Sequence, residues 1–382
     1  MKRLFFLAAA LLLLWGLPLP VRAAPLSDEV QGQLEQQLQS LGAQELANEL
    51  PGEARDILEE LDLGEIDLGA LLSLSPGDFV RVVKAQVKNT VQKPLATLGM
   101  IAGVVVLCAL VDTLKSGLSK GTLSPVFSTV SVLCVITVIA KPIGGCIVGA
   151  AEAIRGCANF MLSFIPVFCS IVTVGGAPVT ATSYNLLLFF ACQLISSFAS
   201  SVLVPFMGIY MGLCVAGSVG EDIGVLPLAK GVRSFVTWSL TLTMTAYVGL
   251  LSMQTLVSVG ADNAMLKTGK FLVGSFVPIV GGAISEALSA AQGALHLLKS
   301  AVGAFGMVAG AAAFLPILVR VLLWYFTVKV AAFLAQTLSL KKLGSLLGAC
   351  SDCLGTMLAL LFSFLLLILV SIILLLSFSA TI

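Results

Sequence analysis

Histidine occurs once in 382 residues, at His296, and charged residues make up only 11% of the chain. A single histidine removes the usual residue of proton shuttles and of hydrolytic metal centres. There is no Ser-His pairing to build on, no His-Glu-x-x-His, no phosphate-binding Gly-x-x-x-x-Gly-Lys-Ser/Thr and no dinucleotide fingerprint after a strand. The chain is not expected to be an enzyme, no cofactor is implied, and energy for any transport would have to come from a partner or an ion gradient. Cys350-x-x-Cys353 has the spacing of half a zinc site, but such a site needs about four ligands, so no metal centre is expected. Of the nine cysteines, Cys108, Cys134, Cys146, Cys157, Cys169, Cys192 and Cys214 lie within or beside apolar runs and read as small packing residues. No nucleic-acid partner is expected.

Charge is absent altogether from Gly156 to Gly220 and from Cys353 to Ile382. Each stretch far exceeds the roughly 20 apolar residues that span a bilayer. With 58% hydrophobic residues, the fold class is all-α: a polytopic α-helical membrane protein whose solvent is mostly lipid. Credible spans lie near 95–111, 122–140, 157–174, 186–219, 234–260, 301–325 and 355–378. The 186–219 run is too long for one straight span and is either a hairpin or a helix kinked at Pro205.

The acids are concentrated in one place. Residues 25–80 hold 13 acidic residues against one base, Arg55, a local net of −12. Ahead of them, Lys2 and Arg3, an apolar run from Leu4 to Leu17 and small residues at Ala23 and Ala24 form the three-part pattern of an export signal over residues 1–24. Cleaved or retained, it leaves residues 25–93 on the exported side. Val30, Leu34, Leu38, Leu41 and Leu46 recur at helical spacing, Pro51-Gly52 breaks the pattern, and a short helix with Ile57, Leu58 and Leu61 follows. Ser75-Pro76 predicts the start of a third helix. On it Phe79, Val83, Val87 and Val91 share one face and Arg81, Lys84 and Lys88 another, the pattern of a helix lying in the membrane interface. A basic run on the exported side opposes the positive-inside tendency, and either the acidic segment or anionic lipid would have to neutralise it.

Pro94, Pro205 and Pro316 fall 111 residues apart. Leu118-Ser119-Lys120-Gly121 matches Leu228-Ala229-Lys230-Gly231, and Lys341 takes the third equivalent place. The expectation is a unit of about 111 residues, with copies at 94–204 and 205–315 and a truncated third at 316–382. An odd number of crossings per unit would invert successive copies and an even number would make them parallel.

Ser163-Phe-Ile-Pro166 and Ser275-Phe-Val-Pro278 recur at a spacing of 112, followed by Gly175-Gly176 and Gly281-Gly282. Irregular backbone at membrane depth persists only beside protein or water. Ser163, Pro166, Gly175, Gly176, Ser275, Pro278, Gly281 and Gly282 are therefore candidate cavity or broken-helix positions, the alternative being ordinary proline-kinked helices. Glu286 is the best acidic candidate for a polar cavity, or else caps a surface helix. Arg320 and Lys329 read as side chains snorkelling from a span. Gly303, Gly306 and Gly310 make a face for close helix packing.

The run Asn159-Phe-Met-Leu-Ser-Phe-Ile-Pro166 through Gly175-Gly-Ala-Pro-Val-Thr-Ala-Thr-Ser-Tyr-Asn185, and Phe271 through Ala287, together with the acidic leader, resemble the stage III sporulation protein AE family over essentially the whole chain. The resemblance implies a mother-cell membrane protein of an endospore former. Within a channel-like or secretion-like complex it would face the engulfed forespore, with a forespore membrane protein among its partners and residues 25–93 in the intermembrane space. It implies no catalytic residues. The alternative is a stand-alone secondary permease for a small solute, suggested by repeats and proline-broken segments.

Overall fold

In a computed structural model the chain is described over residues 43–63, 70–71, 74–118, 123–174, 178–219, 225–276 and 281–377. All regular structure among these residues is helical, as lipid demands of a chain that must satisfy its own backbone. The signal segment and the helix expected before residue 43 lie outside the described residues.

A 3₁₀ turn, Ala43–Glu49, precedes the short helix α1, Gly52–Glu60, which begins after Pro51 as expected. α1 ends with Asp62 in the left-handed region at φ 57°, while Leu63 N–H reaches back to Leu58 O at 2.8 Å. That closes its last carbonyls in a Schellman-type turn. Ser75 caps α2, Pro76–Thr90: its hydroxyl accepts from Gly77 N–H at 3.1 Å, and Asp78 accepts from Ser75 N–H at 3.0 Å. The Ser75 N–H that bonds Asp78 holds its carboxyl below the usual range; the Ser75 side chain and Arg81 act in the same direction against partial desolvation.

The body consists of α3 (Gln92–Leu118), α4 (Leu123–Val174), α5 (Pro178–Phe198), α6 (Val204–Val219), α7 (Val225–Phe276), α8 (Gly281–Thr337) and α9 (Lys341–Ser377). Among the described residues six helical stretches are long and apolar enough to cross a membrane. The predicted runs 122–140 and 157–174 are not separate spans, because α4 continues through Pro142 and Pro166. The 186–219 run is not a hairpin. A π-turn, Ala199–Leu203, joins α5 to α6 directly before Pro205. The wider turn accommodates a residue that lacks an N–H and whose ring would press on the carbonyl four residues back.

Helix directions follow from individual contacts. Cys108 Sγ meets Ser131 Oγ at 2.9 Å, so α3 and α4 are antiparallel. Gly149 faces Ile317 while Gly306 faces Phe164, so α4 and α8 are antiparallel too. Gly355 lies against Tyr325 and Gly303 against Leu376, making α8 and α9 a long antiparallel hairpin. Its turn is closed by Ser339 at φ 60° and by Leu340 N–H on Ala335 O at 3.0 Å. Cys353 and Cys350 approach Met207 and Met211, setting α6 antiparallel to α9. Pro94, Pro205 and Pro316 thus stand on helices α3, α6 and α8 that all run toward one end of the bundle. The C-terminal ends of these three helices, Leu118, Val219 and Thr337, lie there. Lys230 is in the first turns of α7 and Lys341 opens α9, while Lys120 lies outside the described residues.

Small residues set the packing. A methyl at Gly306 would collide with the Phe164 ring, and one at Gly303 would come within 2.5 Å of Leu376 Cδ2. Phe164 stands in a ladder with Phe160 and Phe168, centroids 5.6 Å apart, pressed on that bare face. On α7 the exposed Thr237, Thr241 and Thr245 hydroxyls each donate to the carbonyl four residues back, which hides them from lipid. Gly306→Ala should destabilise the protein by roughly 1–3 kcal/mol through overpacking. The double variant with Phe164→Leu should recover part of the loss in a thermal melt.

Candidate functional site

The first Ser-Phe-x-Pro segment is continuous helix. Phe164 is buried, Ser163 is half-buried, Pro166 is exposed, and the Pro166 carbonyl accepts from the Ser170 hydroxyl at 2.9 Å. Pro166 thus stands inside an unbroken helix, the proline-in-helix alternative, and not at a helix break. Gly175 and Gly176 lie outside the described residues, between α4 and α5. Ser275 falls in the last turn of α7, and Gly281 and Gly282 open α8 with Glu286 in its second turn. Pro278 lies outside the described residues, as do the side chains of Ser275 and Glu286.

The polar features of the described bundle are elsewhere. Arg320, expected to snorkel, instead donates to Glu53 Oε1 of α1 at 3.0 Å. Around that pair the acidic segment docks on the bundle: Leu46, Leu50, Ala54, Ile57, Leu58, Leu61 and Leu63 are buried, and Pro51 Cγ sits 2.7 Å from the position a methyl on Gly156 would take. Gly156 is therefore a seat for Pro51. Lys329 is exposed.

Arg233 of α7 donates to Asp352 Oδ2 of α9 at 2.6 Å in a half-buried ion pair, and Tyr210 of α6 donates to Ala349 O at 3.5 Å one turn away. Cys350 and Cys353 are buried on the α6 side of the same region. Sequence reading passed over this pair because its partners are 119 residues apart. The available signal was that Asp352 is the only acid after Glu286. Lys299, buried with its Nζ 5.9 Å from the Phe168 centroid, also went unnoticed at the edge of a span.

An open groove of about 710 Å³ lies between α5 and α7, lined by Leu186, Phe190, Leu194, Leu242, Tyr247 and Leu250 among others. The Tyr247 hydroxyl is tied to Ser371 of α9. Ser196 bonds to Ile154 O at 3.3 Å, level with the docked acidic segment, so the groove extends from about that level toward the N-terminal end of α5. Its rim includes Phe190 at 65% and Leu194 at 72% exposure. α3, by contrast, runs from the level of the dock toward the opposite end, and its apolar stretch Gln92–Val111 rises about 30 Å, one hydrocarbon thickness. The apolar stretch of α4, 46 residues, rises about 69 Å.

A sequence profile described as Stage III sporulation protein AE matches residues 62–379. The chain belongs to the stage III sporulation protein AE family. A curated relative, Stage III sporulation protein AE of Bacillus subtilis (strain 168), is 26% identical over 353 residues, covering 88% of each chain. No solved structure matches. For this family member, the match covers α2 through α9, including the ion pair between α7 and α9, and leaves most of the acidic segment outside. Arg233→Ala or Asp352→Ala should each lower stability by roughly 1–2 kcal/mol, a value reduced for the pair's partial exposure. The charge swap Arg233→Asp with Asp352→Arg should melt above either of the corresponding single charge reversals.

Proposed function

We propose that this family member is a non-enzymatic membrane component of a channel-like or secretion-like complex in the mother-cell membrane around the forespore, with residues 25–93 on the exported side. The observation that carries the reading is height. A bilayer core is roughly 30 Å thick, and α3 matches it between the docked acidic segment and the 119–122 connection. Beyond the dock the bundle continues, with exposed apolar side chains such as Leu186, Phe190, Leu250 and Met253 on α5 and α7 and an apolar groove between them, which a bilayer placed on α3 does not cover. Other membrane proteins of the same complex, including one across the intermembrane space, are the cover we assign to it.

Orientation agrees with the charges. Lys120, Lys230, Arg233, Lys341 and Lys342 gather at or near the connections 119–122, 220–224 and 338–340, so these face the cytosol and the acidic segment faces outward. We read α3–α4, α6–α7 and α8–α9 as copies of one proline-marked unit with parallel orientation. Most positions nominated for a permease cavity lie, wholly or by their side chains, outside the described residues, so the reading rests on the height of the bundle and on its charges.

The test is purification of the full chain from sporulating cells in mild detergent. Partners should co-purify, and Phe190→Arg with Leu250→Arg should reduce their recovery about tenfold or more, equivalent to ~1.4 kcal/mol, without loss of the protein itself. A lone monomer whose would-be partners assemble without it would refute the proposal.

A further inference from the structure

Helix α2 turns an unusual face away from the bundle. Val82, 1% exposed, is the side chain it buries. The predicted face of Phe79, Val83, Val87 and Val91 is therefore not the packing face: Val83 is 36% exposed and Phe79, Val87 and Val91 are half-buried, while Val80 beside them is 50% exposed. At 100° per residue, Val80, Val83, Val87 and Val91 form one strip, and Arg81, Lys84 and Lys88 form a second strip directly beside it. Both strips are directed outward. Arg81 spends part of its guanidinium on Asp78 at 2.9 Å. Among the described residues Lys84, Lys88 and, just past the helix, Lys93 form no ion pair. Among the described acids of the exported segment, Glu53 pairs with Arg320 and none pairs with these lysines.

We propose that this face of α2 is a binding surface for an anionic phospholipid bilayer. The valine strip would enter the headgroup–acyl boundary, and Lys84, Lys88 and Lys93 would meet lipid phosphates. Water alone suits the lysines but not the valines, and a hydrocarbon environment suits the valines but not the lysines. The interface accommodates both. Position agrees: α2 leads directly into α3, whose Leu95, Met100, Leu107 and Leu110 are exposed over a one-bilayer length. Anionic lipid also resolves the conflict between a basic run on the exported side and the positive-inside tendency. The inference requires α3 to cross a bilayer and does not depend on the complex proposed above.

Native mass spectrometry of the full chain in detergent supplied with equal phosphatidylglycerol and phosphatidylcholine tests it. The native chain should retain phosphatidylglycerol preferentially. Lys84→Gln, Lys88→Gln and Lys93→Gln together should cut that preference by up to roughly 100-fold, about fivefold per charge, with an unchanged melting temperature because all three side chains are exposed. The matching arginine triple variant should keep the preference, and Val80→Ser with Val83→Ser should weaken retention of both lipids alike. An unchanged preference in the glutamine variant, equal loss of both lipids in it, or displacement of the lipid by millimolar inorganic phosphate would overturn the proposal. The last outcome would mark a soluble-anion site instead.

Discussion

One helix face stripped of side chains holds this protein together. Along α8, Gly303, Gly306 and Gly310 face Leu376, Phe164 and Ile368 so closely that even a methyl group would crowd them. Lipid tails are as apolar as leucine, so helices in a membrane gain little from apolar burial as such and depend on close packing instead. α8 is consequently the element against which α4 and α9 lie on either side, with α3, α1 and α2 also resting on it. The remaining helices are placed through α4 and α9. α5 meets α4 at Ser196 and Ile154, and α7 meets α9 at Arg233 and Asp352.

The same mast gives the acidic segment its seat. Gly156 and Arg320 lie part-way along α4 and α8, and Pro51 and Glu53 occupy them. A soluble-looking element is thereby fixed at a defined height on helices much longer than a bilayer is thick. That height divides an end along which α3 has the length of one bilayer from an end that carries the apolar groove between α5 and α7. Burial of α1 is the contact on which the proposed orientation and the proposed partners both rest.

Local chemistry was the legible part of the sequence. Ser75-Pro76 read as a helix start because the cap and the proline act within four residues, and Ile57 with Leu58 read as a buried face because their spacing fixes it. Gly303, Gly306 and Gly310 read correctly as a packing face for a similar reason. Pro205 announced a disturbance, but a π-turn and a hairpin disturb sequence in the same way, and only the uninterrupted chain from α5 to α6 separates them. Two predicted spans merged into α4 because Lys141, Glu152 and Arg155 between the flanking runs lie on exposed positions, leaving the helix itself unbroken. Pairings across long separations were not readable. Arg320 looked like a snorkelling residue because its partner Glu53 is 267 residues away, and the Ser-Phe-x-Pro segment drew attention to Pro166 when the contact that matters is Phe164 on Gly306.

The central claim is that α3, α6 and α8 run the same way, hung on α8, so that three connections share one side of the membrane. Its most direct test is labelling with a membrane-impermeant maleimide at Lys120→Cys, Gly224→Cys or Ser339→Cys, each introduced alone. Cys108 and Cys134 would be replaced by alanine and the seven buried native cysteines left in place. With the chain produced in the cell membrane of vegetative cells, all three sites should be protected in intact protoplasts and labelled once the membrane is opened, whereas Ser75→Cys should label from outside. Labelling of any one of the three from the face opposite to the other two would contradict the account.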